Sequence, residues 1–266
     1  MRVSVDQAAS VIHPLRTRVN PEHMIAELCY ANLTTLTTDM SPLPDLALSW
    51  SASADFTEWT FKLRKGVRFS DGSPCTAKDV VATYVAILDP KTASPARAFV
   101  GMIKEAVAID DETVLFRLNT AFADLPATVA AFGTRIVPAA IAQGNLDRLA
   151  RESVGCGPFK LVSYEPDRLI VVERNPHYFI PEQPYLDRIE IRVYPDSSAE
   201  TSALLSADND LMVITANSEF GRLKKVKGVD ALQVLHRVHM RTRLQVAADS
   251  YVVPPRRLAP SLIQSR

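Results

Sequence analysis

The segment from Trp59 to Leu88 constrains the fold more than any other part of the sequence. It begins with alternating apolar and polar residues over 59–63, a pattern typical of a half-buried β-strand. Gly66 and the pair Asp71-Gly72 predict tight turns after that strand. Residues 76–79, which read Thr-Ala-Lys-Asp, have the spacing of a helix capping box, and apolar residues follow at helical spacing. The segment therefore predicts a strand, two turns and a helix in direct succession.

The rest of the chain mixes strand-like and helix-like segments without a strict strand–helix–strand order. Paired strand-like runs predict hairpins over 106–118 and 159–173. One helix is predicted with Asn20 as its cap and Pro21 as its first residue, and another follows a cap at Asp196. We therefore predict an α/β fold in the broad sense, with mixed α+β sheets.

Composition excludes two classes of protein. The chain has 266 residues, with 30 Lys plus Arg and 30 Asp plus Glu, so its formal net charge is zero. That balance argues against a basic nucleic-acid-binding domain, and no apolar run is long enough for a transmembrane helix. The charges are unevenly distributed, however, because residues 222–266 hold ten basic and two acidic residues. We therefore predict no nucleic-acid partner, and a C-terminal segment that differs in kind from the rest.

Signatures of catalysis and metal binding are sparse. The sequence lacks GxGxxG, GxxxxGK, GxSxG and HExxH motifs. Cys29, Cys75 and Cys156 are too few for a disulfide framework and have no CxxC spacing, so we predict that they are small buried hydrophobic residues. His236 and His239 could share a helix face, but their neighbours are arginines and no third ligand is near. We therefore predict no metal site and no cofactor, and no motif here points to a particular catalytic chemistry.

Five sequence blocks follow one another along the chain: Pro44–Trp50, Trp59–Val80, Leu88–Lys91, Val154–Leu161 and Glu173–Phe179. In content, order and spacing they resemble those of one family, the bacterial extracellular solute-binding proteins of family 5, which are the dipeptide- and oligopeptide-binding components of ABC importers. The residues that carry the structural motif are Trp59, Gly66, Phe69, Asp71, Gly72, Pro74, Thr76, Asp79, Gly155, Gly157 and Pro158. The four glycines are predicted where a positive φ or a close backbone approach requires them. Cys156 stands where the family block has Thr.

The resemblance implies a periplasmic-binding-protein-like type II lobe that carries an inserted small α+β domain. The first lobe would comprise residues 1–45 and 151–230, and the inserted domain residues 46–150. Family members add a second lobe, which we expect to be missing here. Residues 231–266 hold six Arg, no Lys and one acidic residue. We interpret them as aberrant, out-of-frame sequence, with a functional basic tail as the alternative.

The resemblance also implies a non-catalytic protein whose two lobes close on a ligand by a hinge motion and deliver it to a membrane permease. The expected partners are a peptide or other small solute and an ABC permease. The expected compartment is the periplasm, although no signal peptide is recognisable in this chain. The expected ligand-facing residues are His13, Pro14, Leu15, Arg16 and Tyr30. An ordinary surface loop is the alternative interpretation of the first four.

A lobe without its partner leaves one wall of a cleft, so we predict weak or absent ligand binding by this chain alone. Three other functions stay open at this point. The chain could be a sensory or adaptor module that retains one lobe, a hydrolase that uses His236 and His239, or a non-functional gene fragment.

Overall fold

The computed structural model describes residues 1–194, 196–214, 217–232 and 250–253. Within these ranges, thirteen strands form a seven-stranded, a four-stranded and a two-stranded sheet, and we call the first two the large sheet and the small sheet. The strands are β1 (Arg2–Val5), β2 (Thr34–Leu36), β3 (Pro42–Pro44), β4 (Ala47–Ala52), β5 (Glu58–Leu63), β6 (Ile103–Asp110), β7 (Thr113–Leu118), β8 (Phe159–Glu165), β9 (Leu169–Arg174), β10 (Arg188–Val193), β11 (Leu211–Ile214), β12 (Asp230–Leu232) and β13 (Ser250–Val253). The helices are α1 (Asn20–Cys29), α2 (Ala77–Leu88), α3 (Arg97–Val100), α4 (Leu125–Thr128), α5 (Ala139–Gln143), α6 (Ser197–Leu205) and α7 (Asn217–Leu223). These elements confirm the predicted mixed α/β fold.

The large sheet is built around β1, in the order β12-β13-β11-β1-β10-β9-β8. β1 is parallel to both β10 and β11, and the other pairs of this sheet are antiparallel. Val3, Ser4 and Val5 are all buried, so β1 is covered on both faces. Burial on both faces is what a parallel strand at the centre of a sheet requires.

The small sheet is antiparallel throughout, in the order β4-β5-β7-β6. β6 and β7 form the predicted hairpin, and α2 packs against both strands and against α5. Phe116 lies edge-on to Phe61 and to Tyr84, with 5.6 Å and 4.8 Å between the ring centroids. Because all three rings are fully buried, aromatic packing holds α2 on the sheet.

Two helix starts show how the local sequence sets the elements. The backbone N–H of Thr76 donates to Oδ2 of Asp79 at 2.7 Å, which confirms the predicted capping pair of α2. At α1, the backbone N–H of Val19 donates to Oε2 of Glu22 at 3.4 Å. Val19 is therefore the cap and Asn20 is already helical, one residue earlier than predicted.

One apolar core runs between the two sheets. Val3 and Ile191 of the large sheet belong to the same cluster of buried side chains as Phe61 and Phe116 of the small sheet. A shared core of this kind means that the two sheets are packed against common residues.

The two sheets draw on different parts of the chain. The described strands of the small sheet all lie within 47–118, whereas those of the large sheet come from 2–5 and 159–253. Strand β12 begins at Asp230 and continues into the segment 231–266, and β13 lies within that segment. The division at residues 45/46 and 150/151 stays a prediction.

Candidate functional site

The carboxyl ends of β1 and β10 lie side by side, because Val5 is paired with Val193 in the parallel ladder. In open α/β sheets, ligands bind in the crevice outside the carboxyl ends of parallel strands. The chain leaves β1 at this edge through residues 6–19, which we call the β1 loop, and α6 follows β10 at the same edge. The β1 loop is therefore a candidate for one wall of a ligand site.

A buried carboxyl group lies behind this edge. Glu200, in the first turn of α6, is 1 % exposed. Burial raises the pKa of Glu200 to about 7, a hydrogen bond with Ser4 opposes that rise, and the charge of Asp6 adds to it. The carboxyl group therefore titrates close to neutral pH. Sequence patterns did not single out Glu200, since its burial depends on strands that are distant in the chain.

Glu22 and Tyr164 hold the β1 loop in place. Oε1 of Glu22 accepts a hydrogen bond from the backbone N–H of Val11 at 3.1 Å, and its Oε2 accepts one from that of Arg18 at 2.7 Å. The hydroxyl of Tyr164 donates to the carbonyl of Ala9 at 2.7 Å. A loop ordered in advance lowers the entropy that binding must lose. Sequence reasoning missed both residues. The one available signal was an acidic residue in the first turn of α1.

The expected ligand-facing residues of the β1 loop lie mostly inside the protein. His13, Pro14 and Leu15 are buried. Burial, aided by the charge of Arg16, lowers the pKa of His13 to about 4, so the imidazole is neutral at pH 7. Its Nδ1 accepts a hydrogen bond from the backbone N–H of Leu15 at 3.2 Å. These three residues shape the loop from within.

Arg16 is the member of this group that reaches the surface, with 32 % of its side chain exposed. Its Nε donates to the carbonyl of Thr92 at 2.9 Å, and its guanidinium pairs with Asp147 at 2.7 Å. Both partners lie in the segment 46–150, so Arg16 joins the β1 loop to that segment. The carboxylate of Asp147 is itself 75 % exposed. An ion pair this exposed contributes little to stability.

Tyr30 packs against Gly155 and Gly157. Its side chain is 2 % exposed and directly follows α1. A Cβ atom added to Gly155 would lie 2.5 Å from the Tyr30 ring, and one added to Gly157 would lie 2.5 Å from the Tyr30 backbone nitrogen. Both glycines are thus required by close approach, as predicted. A ligand-binding role for Tyr30 stays a prediction.

Motif residues from separate sequence blocks meet at one place, which we call the joint. Its first part is the hairpin over 67–75, where Gly72 has a φ of +88° and Asp71 accepts a backbone hydrogen bond at 2.9 Å. The backbone N–H of Ser70 donates to the carbonyl of Gly155 at 2.9 Å. The hairpin that precedes α2 is therefore docked on the segment that precedes β8.

Two further motif residues make hydrogen bonds across long distances in the chain. The side-chain amide of Asn175 donates to the carbonyl of Gly157 at 2.8 Å, and its backbone N–H donates to that of Pro158 at 2.9 Å. Oδ1 of Asp79 accepts from the backbone N–H of Ala139 at 2.8 Å, in addition to its role at the start of α2. These contacts connect residues that are far apart in the chain.

The remaining motif residues are also structural. Trp59 is 6 % exposed and its indole N–H donates to the carbonyl of Phe122 at 3.0 Å, an arrangement of core packing. Phe69 is buried and Pro74 forms an isolated bridge at the base of the hairpin. Gly66 has a φ of +68°, which confirms the turn predicted there.

In the part of the chain that the structure describes, no cluster of three or more His, Cys, Asp or Glu side chains could hold a metal ion. The helices described there are all too short or too polar to cross a bilayer. His236 and His239 lie outside the described residues. Cys29 and Cys156 are buried, as predicted for small hydrophobic residues, whereas Cys75 is half-buried.

Comparison with known protein families matches residues 41–248 to the bacterial extracellular solute-binding proteins, family 5 Middle. The chain belongs to this family. The match confirms the resemblance predicted from the five sequence blocks. It also extends to residue 248, and thus covers about half of the segment 231–266 that we interpreted as aberrant.

Individual relatives are similar over most of this chain. It is 32 % identical over 194 residues to the probable D,D-dipeptide-binding periplasmic protein DdpA of Escherichia coli (strain K12), covering 71 % of this chain and 37 % of that protein. The structure of AgaA from A. tumefacien R10 in complex with agropinic acid matches with a TM-score of 0.82 and 27 % identity, over 87 % of this chain and 47 % of that one. DppA from Helicobacter pylori in complex with the peptide STSA matches with a TM-score of 0.78 and 27 % identity, over 88 % and 50 %. The chain thus spans half or less of the length of these relatives.

Proposed function

We propose that this chain is the substrate-binding component of an ABC-type importer and that it passes a short peptide or a related small solute to a membrane permease. Membership of the solute-binding family over residues 41–248 carries the proposal. Similar proteins that are named for a D,D-dipeptide, a peptide and agropinic acid support a small organic ligand. The periplasmic name of DdpA supports a periplasmic location.

We propose the β1 loop as the ligand-facing wall. It lies at the carboxyl end of a central parallel strand, and Glu22 and Tyr164 hold it in one conformation. Arg16 is a partly exposed cation of this loop, suited to a carboxylate of the ligand once Asp147 is displaced. The buried residues of the predicted set would fix the shape of that wall from inside the protein; they are His13, Pro14, Leu15 and Tyr30.

We propose that residues 46–150 are a small inserted domain and that residues 1–45 and 151–230 form the first lobe. The proposal is supported by the separation of the small-sheet strands, within 47–118, from the described strands of the large sheet. One wall makes only part of the contacts of a closed cleft, so binding by this chain alone should be weak.

Titration of backbone amide NMR shifts with three probes tests the function: D-alanyl-D-alanine, the peptide STSA and agropinic acid. We expect at least one probe to give saturable shifts in the millimolar range, confined to the β1 loop and to residues near Asp6 and Glu200. Arg16→Gln should weaken that response severalfold, whereas Arg151→Gln, at an exposed arginine, should not. Shifts that never saturate, or that map to the 110–113 turn, would contradict the proposed site. Micromolar or tighter binding would contradict the weak binding that we expect.

A further inference from the structure

Arg135 is a buried cation in the segment between α4 and α5. The residue is 5 % exposed. The backbone N–H of Ile136 donates to the carbonyl of Ala31 at 2.9 Å, and the hydroxyl of Thr134 donates to that of Val129 at 3.0 Å. The backbone that carries the guanidinium is therefore held in place on both sides.

The guanidinium has fewer partners than a buried charge requires. In the part of the chain that the structure describes, it donates no hydrogen bond, and its one ion pair joins Nη2 to Oε1 of Glu27 at 4.0 Å. That distance is too long for a hydrogen bond, and a buried charge is costly unless it is paired and hydrogen-bonded. The nitrogens of Arg135 are not among the unpartnered atoms that are sealed from solvent. A small polar group can therefore reach donors that the protein leaves unused.

A pair of aromatic rings lies beside these two charges. His23 and Glu27 are one turn apart on the same face of α1, and the ring of His23 stacks on that of Phe132 with 4.1 Å between the centroids. Both rings and Glu27 are half-buried, whereas Arg135 is buried. Exposure thus rises from the guanidinium to the rings, as in a site that opens to solvent on one side.

This group of residues adjoins the wall proposed above. A Cβ atom added to Gly133 would lie 3.8 Å from the carbonyl oxygen of Leu15, in the β1 loop. Glu22, which precedes His23 on α1, accepts hydrogen bonds from the backbone of the same loop. The two charges and the ring pair therefore belong to the surroundings of the β1 loop and not to a remote surface.

We propose that Arg135 and Glu27 recognise an α-carboxylate of the ligand together with the nitrogen on the same carbon. A free amino acid carries this group, and so does the C-terminal residue of a peptide. The guanidinium of Arg135 donates to the carboxylate, for which its planar fork is suited, and the ligand nitrogen donates to Glu27. The ring pair of His23 and Phe132 contacts the adjoining side chain of the ligand. This inference rests on the proposed function, and it adds a recognition point to Arg16.

The charges decide between this role and a purely structural ion pair. If Glu27 only balances Arg135, its removal lowers stability and leaves the choice of ligand unchanged. If the two residues bind one group of the ligand, the charge of Glu27 opposes a bare carboxylate and favours one that carries a nitrogen beside it. Removal of that charge should then change the selectivity between the two kinds of carboxylate.

The test uses the full chain and follows the side-chain Nε–H signal of Arg135 by NMR, assigned by its absence from Arg135→Gln. L-alanine and N-acetyl-L-alanine present the group as a free amino acid and as a peptide C-terminus, and propionate lacks the nitrogen. We expect at least one of the two alanine probes to shift the signal saturably and to bind severalfold more tightly than propionate. The tighter of the two identifies which source of the group the site prefers.

Two variants of the pair carry the test, with two controls. Arg135→Gln should weaken binding of the alanine probes about tenfold or more. Glu27→Gln should tighten propionate severalfold and abolish the preference for alanine, and this result stands on its own if Arg135→Gln fails to fold. Arg117→Gln and Glu105→Gln, at an exposed ion pair of the small sheet, should change neither affinity.

Two results would overturn the proposal: an Arg135 signal that no alanine probe moves, or a Glu27→Gln variant with unchanged selectivity. The proposed function can fail separately. If D-alanyl-D-alanine, STSA or agropinic acid binds without moving the Arg135 signal, the function stands and this inference is wrong. If the alanine probes bind as expected and none of those three ligands does, this inference stands and the proposed ligands are wrong.

Discussion

The small sheet and the large sheet share one core but are assembled differently. In the small sheet, two of the three strand pairs join strands that follow each other in the chain, β4 with β5 and β6 with β7, and the third pair, β5 with β7, is the one long-range pairing. In the large sheet, Arg2 of β1 is paired with Glu190 of β10. Closing such distant segments costs more chain entropy than closing a hairpin. We infer that the small sheet depends mainly on its own aromatic packing, whereas the large sheet depends on the joint, which holds remote segments in register.

The largest effect on the free energy of unfolding is expected at Gly155, in the joint. A Cβ atom there would lie 2.1 Å from the carbonyl oxygen of Cys29, and neither backbone can yield without disrupting the joint. Gly155→Ala should therefore lower the free energy of unfolding by more than about 4 kcal/mol, as judged by urea denaturation followed by circular dichroism. Gly221→Ala is the control, because a Cβ atom there meets nothing within 4 Å. Equal urea midpoints for the two variants would refute the role of the joint.

The second-largest effect on stability is expected in the small sheet. Phe116→Ala removes a fully buried ring that packs against Phe61 and Tyr84, at an expected cost of about 3–5 kcal/mol. Hydrogen exchange should show lost protection in β5 and β7 before any loss in β1 and β10. Phe56→Ala, at a residue that is 43 % exposed, should change protection little. Simultaneous loss of protection in both sheets would mean that they unfold as one unit.

A smaller, pH-dependent effect is expected at the edge of the large sheet. Folded Glu200 keeps its proton up to about pH 7, whereas an unfolded glutamate releases it near pH 4.5. The folded state therefore binds more protons in this window, and the free energy of unfolding should fall as pH rises from 4.5 to 7. The expected fall is about 2–3 kcal/mol, because one pKa unit corresponds to about 1.4 kcal/mol. Denaturation at several pH values should show it.

Two glutamine variants isolate this contribution. Glu200→Gln should flatten the dependence on pH, since it removes the group that titrates between the two states. Glu182→Gln, at an exposed glutamate, should leave the dependence unchanged. Identical pH profiles for both variants would show that another group is responsible.

The contrast between the two sheets also explains what the sequence could predict. The start of α2 and the hairpin of β6 and β7 rest on contacts between near neighbours, which local patterns encode directly. The glycines of the joint were predicted through their pattern, and the structure adds the partners, Cys29 and Tyr30, that require them. Family membership was predictable because five blocks preserve their order and spacing.

Residues whose roles arise from long-range pairing could not be predicted in this way. Glu200 is buried because α6 packs against β11 and brings its carboxyl group to Ser4 of β1, and Tyr164 reaches Ala9 because β8 and the β1 loop meet in the folded chain. Single-residue patterns carry no information on such pairs.

The smallest effect is expected at Tyr164, and it bears directly on the β1 loop. Tyr164→Phe removes the hydrogen bond from the hydroxyl to the carbonyl of Ala9, which should cost about 1 kcal/mol. Because that bond ties the loop to β8, hydrogen exchange near residues 9–11 should accelerate while β5 and β7 stay protected. Tyr185→Phe, at a residue that is 58 % exposed, is the matched control. Unchanged exchange in the β1 loop would show that Glu22 alone orders it, and that the large sheet contributes only the strand from which the loop departs.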